Sequence, residues 1–400
     1  MLGGAGMAAG ITVGALLAQD LLGSTGLAGL PAALFAVGAA LGAAVLGRVC
    51  QRFGRRPGLA LGNAVAALGS AGVVAGAAAR WPVLLLAALF VYGAGTVTGL
   101  LARYAGSELA PPERRGRAAG TVLFAMTLGA VAGPNLIGPT GTVAAAWGVP
   151  RLAGPFLLAA AAYTAAALVL LVWLRPDPLL PARPREPREN VTEPHAEPHA
   201  GSHPEPHAGP RTPPRGGPGV VTGATVMITA QLVMIAVMTM TPVHMTGHGH
   251  ATQAVGLVIA LHVGAMFLPS PVSGLLVDRI GPRRVAAAAG AVLLGAGLSA
   301  GLAPPDSVTP LAFALVLLGI GWNLALLGGT ALLTDAAPAE NRAAVQGMAD
   351  VGMSVAGATG GMASGLVAGG SGYPVLATAA GALALAVIPA VALTGGGRRL

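Results

Sequence analysis

The chain has 400 residues, 54% of them hydrophobic and only 9% charged, whereas a soluble domain carries about 25% charged residues. So apolar a chain cannot cover its own surface in water, which excludes an ordinary soluble domain and points to lipid as the solvent. The net charge of +8 comes from 22 arginines without a single lysine. Their placement accounts for that charge without nucleic acid.

A membrane helix needs about 20 mostly apolar residues. Such stretches fall at 2–20, 29–47, 58–79, 82–105, 118–139, 155–174, 220–243, 253–275, 285–303, 310–332, 344–369 and 374–394. The expected fold class is therefore an all-α membrane protein with twelve transmembrane helices. With both termini cytoplasmic, the arginines crowd the inner loops, and only Arg80 and Arg151 fall outside. That asymmetry sets the expected orientation, a multi-pass protein of the inner (plasma) membrane.

The first stretch starts at Met1 and has no basic flank, unlike a signal peptide. The expectation is that the true or ancestral start lies upstream and that this helix is short at its cytoplasmic end. Asp20 sits near its outer end and Thr12 near its middle. The fourth stretch carries Tyr92 and Thr96 at mid-depth and Arg103 near the inner end. Trp81, Trp147 and Trp173 read as interface anchors. Residues 175–218 are rich in Pro, Glu, Arg and His, too polar to fold, and read as a flexible cytoplasmic linker. The expected domains are thus 1–174, a linker at 175–218, and 219–400. Four histidines, His195, His199, His203 and His207, recur in the linker, but its prolines forbid the helix that would align them on a metal. His244, His248 and His250 form an outer-side cluster with no stronger claim. In the second half, Gln231, Trp322 and Asn323 lie at mid-depth, His262 near the middle of the eighth stretch, and Asp350 about two turns inside the eleventh.

The two halves repeat each other. Gly47, Arg52, Gly54 and Arg56 recur as Gly274, Arg279, Gly281 and Arg283, each 227 residues later. The same shift carries Glu108 to Asp335, Pro111 to Pro338, Glu113 to Glu340 and Arg115 to Arg342. Two loops sharing one offset imply a duplicated six-helix unit.

The segment Gly274-Leu-Leu-Val-Asp-Arg-Ile-Gly-Pro-Arg-Arg284 resembles motif A of the major facilitator superfamily. The segment at 47–57 is similar, with Gln51 in place of the acidic residue and Val49 in place of leucine. Gly129-Ala-Val-Ala-Gly133-Pro134-Asn-Leu-Ile-Gly138 resembles motif C of drug/proton antiporters. Motif B is poor, with Leu89 and Tyr92 where arginine and glutamine are usual. The resemblance covers essentially the whole chain. It implies two pseudo-symmetric six-helix bundles, alternating access, and motif A loops that close the inner side.

On that reading Gly54 and Gly281 make the tight turns, and Asp278 faces a helix N-terminus. Arg103, Glu108, Asp335 and Glu340 are gate partners. The uncharged Gln51 is expected to weaken the first latch. Asp20, Asp350 and His262 are the proton-coupling candidates, because ionisable groups at membrane depth are costly and usually functional. An alternative reading of Asp350 is a gate residue paired with Arg48 or Arg52. Thr12, Tyr92, Thr96, Gln231, Trp322 and Asn323 are the candidate cavity lining, sparse in charge and suited to an apolar or cationic small molecule.

No Walker loop, zinc signature, HExxH or nucleophile elbow is present, so neither an enzyme nor a cofactor is expected. The expected partners are a small-molecule substrate, protons and the lipid bilayer, with the chain as a monomer. The expected function is efflux, with two alternatives: a metabolite or sugar uptake permease of the same fold, and a non-transporting receptor or scaffold.

Overall fold

The computed structural model describes residues 30–179 and 217–393. Thr12, Asp20, the first expected helix and the linker histidines lie outside those residues. Every described element is helical. In lipid the backbone has no water to bond, so each span must satisfy its own N–H and C=O groups within a helix.

The N-terminal part holds α1 (Leu30–Phe53), α2 (Arg55–Ala78), α3 (Pro82–Thr96), α4 (Thr98–Leu109), α5 (Arg115–Asn135), α6 (Ile137–Ala146) and α7 (Gly154–Trp173). The C-terminal part holds α8 (Pro218–Gly247), α9 (Thr252–Phe267), α10 (Ser270–Ile280), α11 (Pro282–Gly301), α12 (Val308–Ala336), α13 (Arg342–Ser371), α14 (Tyr373–Ala384) and α15 (Val387–Leu393). Among the described residues, ten stretches are long and apolar enough to cross a membrane; α3–α4, α9–α10 and α14–α15 each count as one broken span. They coincide with ten of the expected twelve and mostly run a few residues further at the arginine-rich end. The expected fifth span is present as α5 and α6, interrupted at Leu136.

One correction concerns the linker. Residues 175–179 were expected to belong to a flexible segment, yet Asp177 and Leu179 are 7% and 3% exposed. A carboxylate with three backbone donors and a leucine on an apolar partner are reason enough for them to pack.

Two seams join the N- and C-terminal parts. In one, α1 lies on α13; in the other, α5 lies on α10. Both depend on residues without side chains. A Cβ on Gly47 would come within 2.9 Å of the Gly347 Cα, and one on Gly347 within 2.6 Å of the Ala43 carbonyl oxygen. A Cβ on Gly274 would strike the Gly116 carbonyl, and one on Gly120 the Ser270 carbonyl. Close packing of small residues is how membrane helices gain contact where lipid offers no hydrophobic drive. The two seams are copies under the 227-residue shift: Ala43 becomes Ser270, Gly47 becomes Gly274, and Gly120 becomes Gly347. The motif A loops therefore lie at the same end of the bundle.

Candidate functional site

At the α5–α10 seam, Asp278 near the end of α10 points at the first turn of α5. Its carboxylate accepts from the backbone N–H of Gly116 at 2.7 Å and of Arg117 at 3.0 Å. The Arg117 guanidinium adds a contact at 3.3 Å. An anion here completes donors that a helix start leaves unpaired and faces the positive end of the helix dipole. Gly281 follows at φ 90°, a conformation that only glycine adopts at no cost. Arg115 reaches Asp335 at 3.1 Å across the same seam, with both side chains partly exposed. A cavity of about 180 Å³ opens here, lined by Asp278, Gly281, Thr330 and Asp335 among others.

The α1–α13 seam does the same work with different groups. The Gln51 side-chain oxygen accepts from the Ala343 N–H at 2.7 Å, in the first turn of α13. Its amide nitrogen donates to the carbonyls of Ala339 at 3.3 Å and Glu340 at 2.7 Å. A carboxylate could make only the first of these bonds. In place of a carboxylate, the uncharged amide of Gln51 binds both α13 and the loop before it.

Beneath Gln51 lies a charge cluster sealed from solvent. Arg103 on α4 is 0% exposed, and its Nη2 donates to the Asp350 Oδ1 on α13 at 2.6 Å. Its other donors go to Thr330 on α12 at 3.0 Å, the Leu100 carbonyl at 2.6 Å and the Tyr104 hydroxyl at 2.8 Å. Arg55, also 0% exposed, makes a two-pronged contact with Glu108, Nε and Nη2 each at 2.8 Å from a carboxylate oxygen. The same Nη2 donates to the Gln346 side-chain oxygen on α13, and Gln346 in turn donates to Thr334 at 3.1 Å. The cluster thus ties α2 and α4 to α12 and α13. Buried ions recover their desolvation cost only with good geometry and further hydrogen bonds, which this arrangement provides. One oxygen is left over: among the described residues, the Asp350 Oδ2 is buried with no hydrogen-bond partner.

The expected residues divide clearly. Asp350 pairs with Arg103 instead of Arg48 or Arg52. Arg52 is exposed, its guanidinium 5.2 Å from the Phe53 ring; Arg56 donates to the Leu171 carbonyl at 2.6 Å. Arg279 and Arg283 are exposed. Glu340 contributes its backbone carbonyl to Gln51. His262 is buried far from this cluster, its Nδ1 2.8 Å from the Leu315 carbonyl. Gln231 and Trp322 are brought together: the indole donates to the amide oxygen at 2.8 Å, and Phe267 stands edge-on to the Trp322 ring at 5.6 Å.

Asn323 turns away from that pair and donates to the Met266 carbonyl and the Ser270 hydroxyl, both at 2.7 Å. Tyr92 corrects the expected lining. It is fully buried inside the N-terminal part, against Phe156, Tyr163 and Phe35, on a helix whose backbone Gly69 of α2 lets approach closely. Thr96 satisfies its hydroxyl on the Gly93 carbonyl of its own helix at 2.9 Å. Of the motif C positions, Gly129 is buried, Gly133 and Pro134 belong to α5 just before its end, and Gly138 is exposed with open space beside it. Sequence reasoning missed Arg55, Gln346 and Asp177 as seam residues. Among the described residues, no group of three or more His, Cys, Asp or Glu could hold a metal ion.

A multi-span helical bundle with a buried ionic seam between repeated parts defines a membrane-embedded protein of two opposed halves. Comparison with known proteins agrees. The profile of the Major Facilitator Superfamily matches residues 1–251 and 222–396. An uncharacterized MFS-type transporter of Bacillus subtilis (strain 168), YdeG, is 48% identical over 389 residues, covering 97% of this chain and 88% of that protein. The riboflavin transporter RfnT of Brucella anthropi is 31% identical over 348 residues, covering 85% and 79%. Among solved structures, the human organic anion transporter MFSD10 (TETRAN) superposes with a TM-score of 0.72 over 98% of each chain at 17% identity. The chain belongs to the Major Facilitator Superfamily: it is a multi-pass membrane transporter of a small-molecule substrate.

Proposed function

We propose that the chain is a proton-coupled efflux transporter of the drug/proton antiporter type, acting on an apolar or cationic small molecule by alternating access. On this reading two six-helix units, 1–174 and 219–400, rock about a midplane site, with 175–218 between them. The chain acts as a monomer in the inner membrane with both termini cytoplasmic, so the arginine-rich end faces the cytoplasm. The seams described above close that end and leave the solute site open to the outside.

One observation carries the reading: Asp350 is buried across the seam, held on one oxygen by Arg103 and unpartnered on the other. A proton on that carboxylate weakens its hold on Arg103 and biases the seam toward opening, which couples a proton to a two-state element. Asp20 is the second candidate for the same proton.

The test is dye or drug efflux in everted vesicles with an imposed pH gradient. The unaltered chain is expected to move solute against its gradient, and Asp350→Asn to abolish the pH dependence. Flux indifferent to the gradient in the unaltered chain defeats the coupling, and no flux of any solute favours a scaffold.

A second reading, uptake of a planar heteroaromatic metabolite, has a specific observation behind it. The indole of Trp322, 3% exposed, is anchored by Gln231 and flanked by Phe267, so an aromatic ring and an amide stand together at mid-depth. A 31%-identical relative is a riboflavin transporter. Labelled riboflavin accumulating inside right-side-out vesicles selects this reading over efflux.

A further inference from the structure

We propose that Asp177 and Leu179 form a strap that holds the α1–α13 seam shut, so that the chain segment leaving α7 is a working part of the gate. This rests on the alternating-access reading above and adds a part that neither motif A nor the duplication contains.

The geometry is local and specific. Asp177 accepts from the backbone N–H of Arg55 at 3.0 Å, of Arg56 at 2.8 Å, and of Leu179 at 3.0 Å. The first two are the opening donors of α2, which a helix start leaves unpaired. Gly54 sits beneath the carboxylate at φ 103°, where any side chain would collide with it. The strap is therefore fastened at one point to the N-terminal part. Two residues on, Leu179 is 3% exposed and forms a buried cluster with Cys50 of α1 and Ala343 of α13, both 0% exposed. Ala343 is also the residue whose N–H binds Gln51. One apolar side chain from the strap thus sits where the two halves meet.

Separating α1 from α13 exposes Leu179, Cys50 and Ala343 together, so the strap favours the closed seam. Among the described residues the other seam shows no such part, and for one of the two donors the repeat gives a reason. Arg55 corresponds to Pro282 under the 227-residue shift. Proline at the first turn of α11 has no N–H to satisfy. Arginine at the first turn of α2 has one, and Asp177 is the residue that satisfies it.

Cys50 is the only cysteine of the chain, and it makes the strap testable. Full-length protein in proteoliposomes is treated with N-ethylmaleimide, and labelling of Cys50 is followed by mass spectrometry. Leu179→Ala and Asp177→Ala are each expected to label about tenfold faster than the unaltered chain, as the open population rises, and Leu179→Met to label at nearly its rate.

A second reporter separates opening of the gate from mere uncovering of Cys50. Ser270→Cys, combined with Cys50→Ala, places the thiol on the other seam, at a residue that is 0% exposed. If the strap holds the whole gate, Leu179→Ala accelerates labelling there as well. A rate at Ser270→Cys that Leu179→Ala leaves unchanged overturns the proposal. Asp278→Asn serves as the control: if it accelerates labelling and the strap variants do not, the strap falls and the latch reading stands. If none of them does, both fall.

Discussion

The two seams are descended from one design and now hold by different means. At α5–α10 a single carboxylate, Asp278, its side chain 5% exposed, binds a helix start, and the accompanying pair, Arg115 with Asp335, is 32% and 53% exposed. At α1–α13 the surface contact is a neutral amide, and the charge has moved inward, where Arg103, Asp350, Arg55 and Glu108 are all at most 3% exposed. Exposed ion pairs are screened and worth little, whereas breaking a buried pair is expensive. On the alternating-access reading proposed above, the second arrangement carries more of the state-dependent energy, and the first mainly sets register.

The largest effect that can break this comparison is at the buried pair. Asp350→Asn leaves Arg103 charged and unpaired, and should cost about 3–5 kcal/mol, seen as a lower melting temperature in detergent. Replacing both partners, Arg103→Met with Asp350→Leu, should recover most of that stability without recovering coupled transport. A mild Asp350→Asn phenotype refutes the assignment of energy to this seam.

Next come the glycines. Gly347→Leu and Gly274→Leu should each force a seam apart at about 1–3 kcal/mol, read as faster labelling of Cys50. Equal effects at both positions would show that small-residue packing is the one property the seams still share.

Exchanging the surface contacts gives a smaller signal. Asp278→Asn should lose about 1 kcal/mol, the value of an anion at a helix start. Gln51→Asp should gain nothing, because the carboxylate would face the carbonyls of Ala339 and Glu340 that the amide now satisfies. If Gln51→Asp stabilises the protein, the two contacts are interchangeable after all. The smallest effect is expected for Asp335→Asn, within about 0.5 kcal/mol for so exposed a pair. A larger loss there would make the α5–α10 seam more than a register.

Depth and repetition were legible in the sequence, and facing was not. The apolar stretches and the 227-residue shift located the helices, both motif A loops and the end at which they meet. Asp350 and Arg103 were recognisable as ions at membrane depth, but their mutual pairing, 247 residues apart, depends on how the two parts oppose each other. Tyr92 shows the same limit on a single helix. Its depth follows from counting residues, while its direction, toward Phe156 and Tyr163, follows from how the helices of the N-terminal part pack together. Arg55 was hidden by the repeat itself, since its counterpart is Pro282 and only its neighbour Arg56 has a matching arginine.

The capping of α2 by Asp177 also bears on biogenesis. The Arg55 N–H and the carboxylate that accepts from it are separated by 122 residues, so the helix is translated and inserted long before its cap exists. Until the ribosome has delivered residue 177, the start of α2 depends on water or lipid headgroups. The N-terminal part is thus sealed at the arginine-rich end only when its last long helix, α7, has been made.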